Sequence, residues 1–427
     1  MALASKGAPE AIADLCHLPA EQRKSVTREA TRLAAEGLRV LAVARGKCRA
    51  TDLPAEHHGL DLQFVGLLGL EAPLRPTVPA AVAECREAGI RVIMITGDYP
   101  ATAQSIARQA GLSTPEAVIT GPELDGMSDD ELARRIKDVQ VFARVVPEQK
   151  LRIVKALKAH REVVAMTGDG VNDAPALKAA HIGIAMGGRG TDVAREAASL
   201  VLLDDDFSSI VAAIRLGRRI FDNIKKAVAI VLTVHVPIAG LSILPVFLAD
   251  WPLLLLPVHI VFLELIIDPS CSLIFEAEEA EADVMKRPPR RPTERLFSLR
   301  TVGMALLQGL SVLGACLGVL FVARVSHTAD AARALMFATL VVSFLFVILI
   351  NRSWTRTIVG MWRTPNPALR WVVGGAVLFL ALVLGAPFAQ KMFHFAPLHA
   401  DDLALSLAAG VACVLWFELY KLIRHGS

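Results

Sequence analysis

Residues 167–178 read TGDGVNDAPALK, and this stretch decides the fold of the first half of the chain. It follows a short apolar run at 163–166 and leads into a helix-like segment, which is typical of a turn between a strand and a helix. Its glycines let the backbone approach a phosphate group closely. The carboxylates of Asp169 and Asp173 are the oxygen ligands that Mg²⁺ prefers, and Asn172 can add a neutral hydrogen bond. The stretch therefore predicts a phosphate and magnesium site at the end of a strand.

Strand-like and helix-like segments alternate on both sides of this stretch. Such alternation indicates an α/β domain with a parallel sheet, and chemistry in these sheets lies just past the carboxyl ends of the strands. A second Thr-Gly-Asp sequence (Thr96, Gly97, Asp98) also falls at the end of a predicted strand. The predicted strands are 38–44, 64–70, 90–95, 141–143, 163–166, 182–186 and 201–203, and the predicted helices are 79–89, 101–111, 148–160 and 174–180.

The second half of the chain is dominated by apolar stretches. Of the 427 residues, 54% are hydrophobic and the mean hydropathy is +0.48, which favours a membrane protein over a single soluble domain. Six stretches are long enough to span a bilayer. Arg and Lys gather in alternate connections, on the side that also holds the first half, so we expect an all-α bundle of six transmembrane helices in lipid and a cytoplasmic soluble domain. The predicted spans are 224–249, 254–275, 301–323, 334–350, 371–388 and 403–422.

The sequence argues against a nucleic acid partner, a disulfide framework and a structural zinc site. There is no basic stripe with interleaved aromatic residues, so we expect no nucleic acid partner. The six cysteines are scattered and make no Cys-x-x-Cys pair, which argues against a disulfide framework and against a structural zinc site. The first half therefore suits a reducing, cytosolic environment.

Further motifs follow the order in which P-type ATPases carry them, and the chain resembles that family over nearly its whole length. The stretch TGDGVNDAPALK resembles the hinge motif of the family, which lies in a haloacid-dehalogenase-like fold. Six spans without a Cys-Pro-Cys motif resemble its calcium-pump-like group. The other matching stretches are KGAPE at 6–10, GLR at 37–39, IRVIMITGD at 90–98, VPEQK at 146–150 and DVMKRPPR at 283–290.

The resemblance implies a domain plan and a set of functional residues for an enzyme that couples ATP hydrolysis to cation translocation. Residues 1–70 would be the C-terminal remnant of a nucleotide-binding domain, 71–220 a phosphorylation domain and 221–427 a transmembrane domain. By this resemblance, Asp169 and Asp173 would bind Mg²⁺, with support from Asn172. Thr96, Gly97 and Lys150 would act in phosphoryl transfer, and Asp98 would act near the nucleotide. Lys6, Gly7 and Arg39 would contact ATP.

The phosphorylated aspartate of the family lies in an Asp-Lys-Thr-Gly-Thr motif, which does not occur in these 427 residues. The chain opens almost directly on KGAPE, so we expect it to be the C-terminal portion of a pump, in a bacterial plasma membrane. The leading hypothesis is ATP-driven cation transport. One alternative is a catalytically inactive truncated membrane protein or a half-pump that needs a partner chain. A phosphohydrolase fused to a membrane anchor ranks last, because no nucleophilic aspartate for it is apparent.

Two acidic residues lie inside the second predicted span. Glu264 and Asp268 are four residues apart and so share one helix face, where ionisable groups are costly and functional. We expect Pro269 to interrupt the helix there and to free carbonyl groups for an ion. Two close carboxylates favour a hard divalent cation or a shared proton as the transported species. In the first span, Pro237 should free another carbonyl beside His235, where the calcium-pump-like group normally has an acid.

Overall fold

A computed structural model describes residues 2–48, 54, 57–71, 73–248, 251–291, 297–361 and 364–425. The chain divides into two compact units. The first comprises residues 1–213 and 285–292, and the second comprises residues 214–284 and 293–427. The three-domain division inferred from the sequence remains a proposal.

The first unit begins with a three-stranded antiparallel sheet in the order β1-β2-β3. Along the middle strand, Val40, Ala42 and Ala44 are buried while their neighbours are more exposed, as expected for a sheet with one covered face. The prediction that 38–44 and 64–70 belong to a parallel sheet is therefore wrong. The elements are β1 Ala2–Gly7, β2 Arg39–Lys47 and β3 Leu62–Leu70, with helices α1 Pro9–Leu15 and α2 Ala20–Ala35.

The rest of the first unit is the predicted parallel α/β fold, in two sheets of order β4-β6-β5 and β7-β8-β9. The predicted strand at 90–95 shortens to its last two residues, because its partner β6 is only three residues long. The elements are β4 Met94–Ile95, β5 Val118–Thr120, β6 Val141–Ala143, β7 Ala165–Gly168, β8 Ile182–Met186 and β9 Leu200–Leu202, with helices α3 Val78–Glu87, α4 Pro100–Ala110, α5 Gly121–Gly126, α6 Asp129–Arg135, α7 Pro147–Ala159, α8 Ala174–Ala179 and α9 Asp192–Ala197.

Apolar side chains between these strands and helices hold the strand ends in place. Ile119, Phe142 and Ile153 are fully buried in one core. Several helices begin where the sequence provides a start signal: α5 has Thr120 and Glu123 in a reciprocal capping box, and α7 begins at Pro147. As a result, the residues just after β4, β6 and β7 are fixed at the carboxyl edges of their sheets.

The second unit is helical, and six of the described helices are long and apolar enough to cross a membrane, which confirms the predicted number. The first begins at Phe207 rather than near 224, because the polar residues before the apolar stretch also continue the helix. The helices are α10 Phe207–Phe247, α11 Pro257–Pro269, α12 Phe275–Ala277, α13 Leu299–Ser326, α14 Ala329–Asn351, α15 Ile358–Met361, α16 Pro367–Gly385, α17 Pro387–Phe393 and α18 Ala400–His425.

These helices differ in how much of their surface the unit covers. Within the apolar window of α14, 83% of the residues are buried, whereas the figure for α16 is 17%. Phe337 and Phe344 of α14 are fully buried. Helix α14 is therefore the centre of the bundle, and α16 lies at its edge.

The expectation that Pro269 breaks its helix is wrong. The helix continues through a π-helical turn, Ser270–Ile274, into α12. The Ser270 hydroxyl donates to the Ile266 carbonyl at 2.6 Å, and the Ser272 hydroxyl donates to the Asp268 carbonyl at 2.7 Å. A wider turn accommodates the missing proline N–H without ending the helix.

Two buried carboxylates organise the connection that follows α12. Glu281 pairs with Lys226 of α10 at 2.7 Å, and Glu278 receives two hydrogen bonds from Arg352, at 2.8 and 3.0 Å. Burial opposes ionisation of Glu281, but Lys226 and the nearby hydroxyl groups, including that of Thr355, outweigh it and lower its pKa to about 2. These pairs tie α10 and the end of α14 to one loop.

We expect Lys226→Met to destabilise the second unit by about 3–5 kcal/mol, because it leaves the Glu281 carboxylate buried without its cation. Because the folded-state pKa of Glu281 is depressed from 4.5 to about 2, the stabilisation should be present above pH ~4.5 and lost as the pH falls towards 2. Thermal unfolding of the purified chain in detergent measures both effects. Lys391→Met is the matched control, since Lys391 is exposed. Equal stability of the two variants at neutral pH would contradict the assignment.

Candidate functional site

A lysine and a buried aspartate meet at the carboxyl end of β7. Asp173 is 6% exposed, and its Oδ1 lies 2.7 Å from Nζ of Lys150, in the first turn of α7. Its Oδ2 accepts hydrogen bonds from the backbone N–H groups of Asp169 and Gly170, each at 3.3 Å. The structure thus joins Lys150, from VPEQK, to TGDGVND, which lies 23 residues further along the chain.

Glycine at position 168 is what lets this aspartate approach the strand. A Cβ on Gly168 would lie 2.5 Å from Cβ and 2.9 Å from Cγ of Asp173, which is too close for any L side chain. At Gly97, in the other Thr-Gly-Asp sequence, a Cβ would meet nothing within 4 Å. Packing against Asp173 therefore requires glycine at 168, whereas no described neighbour requires it at 97.

Asp169 comes directly after β7; hydrogen bonds hold its backbone, and its side chain is exposed. The Thr191 N–H donates to the Asp169 carbonyl at 2.8 Å. The loop before Thr191 is held in turn by Asp205, whose carboxylate accepts from the N–H groups of Gly188 and Arg189 at 3.0 and 2.9 Å. The Asp169 carboxylate is exposed and has no hydrogen bond or ion pair to another described residue. Its oxygen atoms are available to a cation.

Thr96 and Asp98 form a second cluster at the end of β4. The Thr96 hydroxyl donates to Asp98 Oδ2 at 2.9 Å and accepts from the Asp98 N–H at 3.1 Å. Nε of Arg39 lies 3.6 Å from Asp98 Oδ1. Among the described residues, no hydrogen bond links Thr96 or Asp98 to the Lys150–Asp173 pair.

Sequence reasoning missed Arg144, which follows β6 at the same edge as Thr96. Arg144 has a backbone φ of +58°, an uncommon conformation that points to a constrained site. Its guanidinium pairs with Glu10 of KGAPE and lies 5.0 Å from the ring centroid of Tyr99. Burial, together with a hydrogen bond to Glu10, raises the pKa of Tyr99. The sequence did offer one signal for Arg144, because it comes directly after the predicted strand 141–143, where site residues of such sheets lie.

These side chains surround an open pocket of about 170 Å³. Its walls include Arg39, Asp98, Tyr99, Thr102 and Arg144. It presents two guanidinium groups, a carboxylate and an aromatic ring, which can receive a ligand that has both negative charge and a flat apolar part.

The other predicted site residues of the first unit lie at the edge of these clusters or away from them. Lys6 and Gly7 lie on β1, paired with Val43 and Ala42 of β2. Lys6 is exposed, and no contact of its side chain joins it to the pocket within the described part of the chain. Asn172 is also exposed, in a short 3₁₀ turn. The structure brings Arg39 and Asp98 together, and Lys150 and Asp173, but it leaves Lys6 apart.

In the second unit, Glu264 and Asp268 lie on the open side of α11. The side chain of Glu264 is 39% exposed, and Asp268 is exposed, so neither points into the core of the described bundle. Nε2 of His235, on α10, lies 3.8 Å from Oε1 of Glu264. No three His, Cys, Asp or Glu residues among those described are already arranged to hold a metal ion.

Comparison with known proteins agrees with the division of the chain into two units. Residues 6–181 and 150–214 match families described as haloacid dehalogenase-like hydrolases, and residues 252–423 match the family "Cation transporting ATPase, C-terminus". The chain is 38% identical over 406 residues to the "Calcium-transporting ATPase" of Bacillus subtilis, covering 93% of this chain and 45% of that protein. It is 39% identical over 415 residues to the "Probable cation-transporting ATPase F" of Mycobacterium tuberculosis, covering 92% and 45%. The chain thus spans less than half the length of these curated relatives.

We expect Gly168→Ala to displace the Asp173 carboxylate and to destabilise the turn by about 1–3 kcal/mol, as overpacking does. Hydrogen exchange measured by mass spectrometry should show faster exchange at the Asp169 and Gly170 amides, which lose their acceptor. Gly97→Ala is the matched control, because its added Cβ enters open space. Equal protection of 165–175 in the two variants would contradict the prediction.

Proposed function

We infer the function of this chain from its family: the chain belongs to the P-type ATPases and corresponds to their C-terminal, cation-transporting portion. It is a multi-pass membrane protein with a haloacid dehalogenase-like domain. We propose that it forms part of an ATP-driven cation pump. The observation that carries this proposal is the Lys150–Asp173 pair, at 2.7 Å, beside the open carboxylate of Asp169.

The residues that follow β4 and β7, together with Lys150, suit phosphoryl transfer. Such transfer depends mainly on positioning and on charge compensation of the phosphoryl oxygens. In this proposal Lys150 and the Thr96 hydroxyl stabilise those oxygens, and Asp173 holds the Lys150 ammonium in place. Gly97 leaves open space for the approach of a phosphate group.

The same strand end fits Mg²⁺. The donor set is all oxygen, and the Asp169 carboxylate is exposed and has no partner among the described residues, which suits a hard divalent cation. Asp169 would hold the ion, with Asp173 and Asn172 in support. When bound, Mg²⁺ neutralises charge on the phosphate oxygens.

We place the nucleotide at the pocket beside Asp98. Arg39 and Arg144 provide positive charge, and the Tyr99 ring provides a flat apolar surface. Lys6 and Gly7 lie on the strand that leads to Glu10, the partner of Arg144. ATP has both negative charge and a flat base, and it is also the nucleotide that membership of the family implies.

The transported species in this proposal binds at Glu264 and Asp268. The relatives named above are described as calcium- or cation-transporting, and two carboxylates within a span suit a divalent cation or a proton. The basic connections support a cytoplasmic position for the soluble unit in this proposal, and a bacterial plasma membrane is the proposed location.

A chimera tests the catalytic proposal. This chain would replace the segment it matches in the Bacillus subtilis relative, so that the rest of that protein supplies the N-terminal half, in which the family carries its Asp-Lys-Thr-Gly-Thr motif. With γ-labelled ATP and Mg²⁺, the chimera should form an acid-stable, hydroxylamine-labile phosphoprotein. The 427-residue chain alone should form none, because it has no such acceptor aspartate.

Asp169→Asn in the chimera should reduce the rate of phosphorylation by about 100-fold or more, since metal-assisted charge stabilisation contributes several kcal/mol. Asp130→Asn is the control, because Asp130 is an exposed aspartate on α6. A rate close to that of the control at saturating Mg²⁺ would rule out the role assigned to Asp169.

Glu264→Gln and Asp268→Asn, in the same chimera, should each raise the half-maximal cation concentration for phosphorylation by about tenfold or more, equivalent to about 1.4 kcal/mol. Nucleotide binding should stay unchanged. Uptake into inverted vesicles is the second measurement, with Glu276→Gln as the control for an exposed acid. Unchanged cation affinity in both variants would assign these acids a structural role.

A further inference from the structure

The imidazole ring of His235 has a defined orientation. Its Nδ1 lies 2.7 Å from the carbonyl oxygen of Val231, one turn earlier on α10. A carbonyl oxygen can only accept a hydrogen bond, so Nδ1 carries the hydrogen. In the neutral ring, Nε2 is then a lone-pair donor, and it is directed away from its own helix.

This Nε2 faces a carboxylate on the neighbouring helix. It lies 3.8 Å from Oε1 of Glu264. A lone pair and a carboxylate oxygen at this distance repel each other unless a positive charge lies between them. Two ligands of one ion, each bound at about 2.0–2.2 Å, are separated by up to about 4 Å, so the observed spacing allows a metal ion to bridge them.

The hydrogen bond to Val231 is also what a metal-binding histidine needs. Ligating histidines usually donate their second ring N–H to a carbonyl or carboxylate, which fixes the tautomer and the ring plane. The side chains of His235 and Glu264 are 51% and 39% exposed within this chain. An ion can therefore reach both without displacing packed side chains.

We propose that His235 binds the transported cation together with Glu264, and that this nitrogen ligand makes the site select borderline divalent transition metals such as Zn²⁺ or Co²⁺ over Ca²⁺. The proposal rests on the proposed function, in which Glu264 and Asp268 hold the cation. Carboxylates alone suit Ca²⁺ and Mg²⁺, whereas imidazole shifts the preference to zinc, iron, cobalt and nickel. Asp268, one turn beyond Glu264, adds a second carboxylate on the same face.

The test measures Co²⁺ and Ca²⁺ binding to the purified 427-residue chain in detergent at fixed pH. We expect Co²⁺ to bind at least tenfold more tightly than Ca²⁺, with a visible absorption band and imidazole scattering in its X-ray absorption spectrum. His235→Gln should weaken Co²⁺ binding at least tenfold and remove the imidazole signal, with Ca²⁺ affinity changed less than twofold. His399→Gln is the matched control, because the His399 side chain is 87% exposed.

A second variant separates ligand loss from misfolding. His235→Cys should retain tight Co²⁺ binding and add a thiolate-to-cobalt absorption band, whereas a merely structural histidine would give no such band. An unchanged ratio of Co²⁺ to Ca²⁺ affinity in His235→Gln would overturn the proposal for His235.

Glu264→Gln distinguishes this failure from failure of the proposed function. If it weakens both ions while His235→Gln changes neither, the carboxylate site stands and only the histidine ligand is rejected. If His399→Gln weakens Co²⁺ binding and the other two variants do not, the metal is an adventitious ion only. That result would overturn both proposals.

Discussion

The burial of one carboxylate at the end of β7 is the constraint on which the first unit depends. Asp173 can be 6% exposed only because Lys150 neutralises it and two backbone N–H groups bind it. That requirement explains the glycine at 168, the start of α7 close to β6, and the turn that leaves Asp169 open. A buried ion pair of this kind gives little net stability, so its value lies in fixing where charged groups stand.

The second unit uses the same chemistry for a different purpose. Glu278 and Glu281 are buried with Arg352 and Lys226 as partners, and these pairs join elements that are distant in sequence. No phosphate or cation needs to reach them, since hydroxyl and amide groups complete their hydrogen bonds. Paired burial thus fixes the proposed site at a sheet edge in one unit and joins distant elements in the other.

Features that depend on local sequence could be predicted, and features that depend on distant partners could not. The strand-to-helix turns at Thr96 and Asp169 follow from neighbouring residues, as do the six apolar helices. The antiparallel pairing of β2 could not be predicted, because a strand's partner is chosen by the whole sheet. The partnership of Arg144 with Glu10 spans 134 residues. Helix periodicity placed Glu264 and Asp268 on one face, but packing decides which way that face turns.

The enclosure of α14 has a consequence for which substitutions α14 and α16 can each accept in the course of evolution. A helix with 83% of its apolar window buried touches hardly any acyl chains, so its residues are constrained by the shape of their neighbours and not by solubility in hydrocarbon. Helix α16, with Trp371 83% and Leu378 73% exposed, faces the opposite pressure. Few described side chains pack against it, so within this chain its residues are constrained by hydropathy rather than by shape.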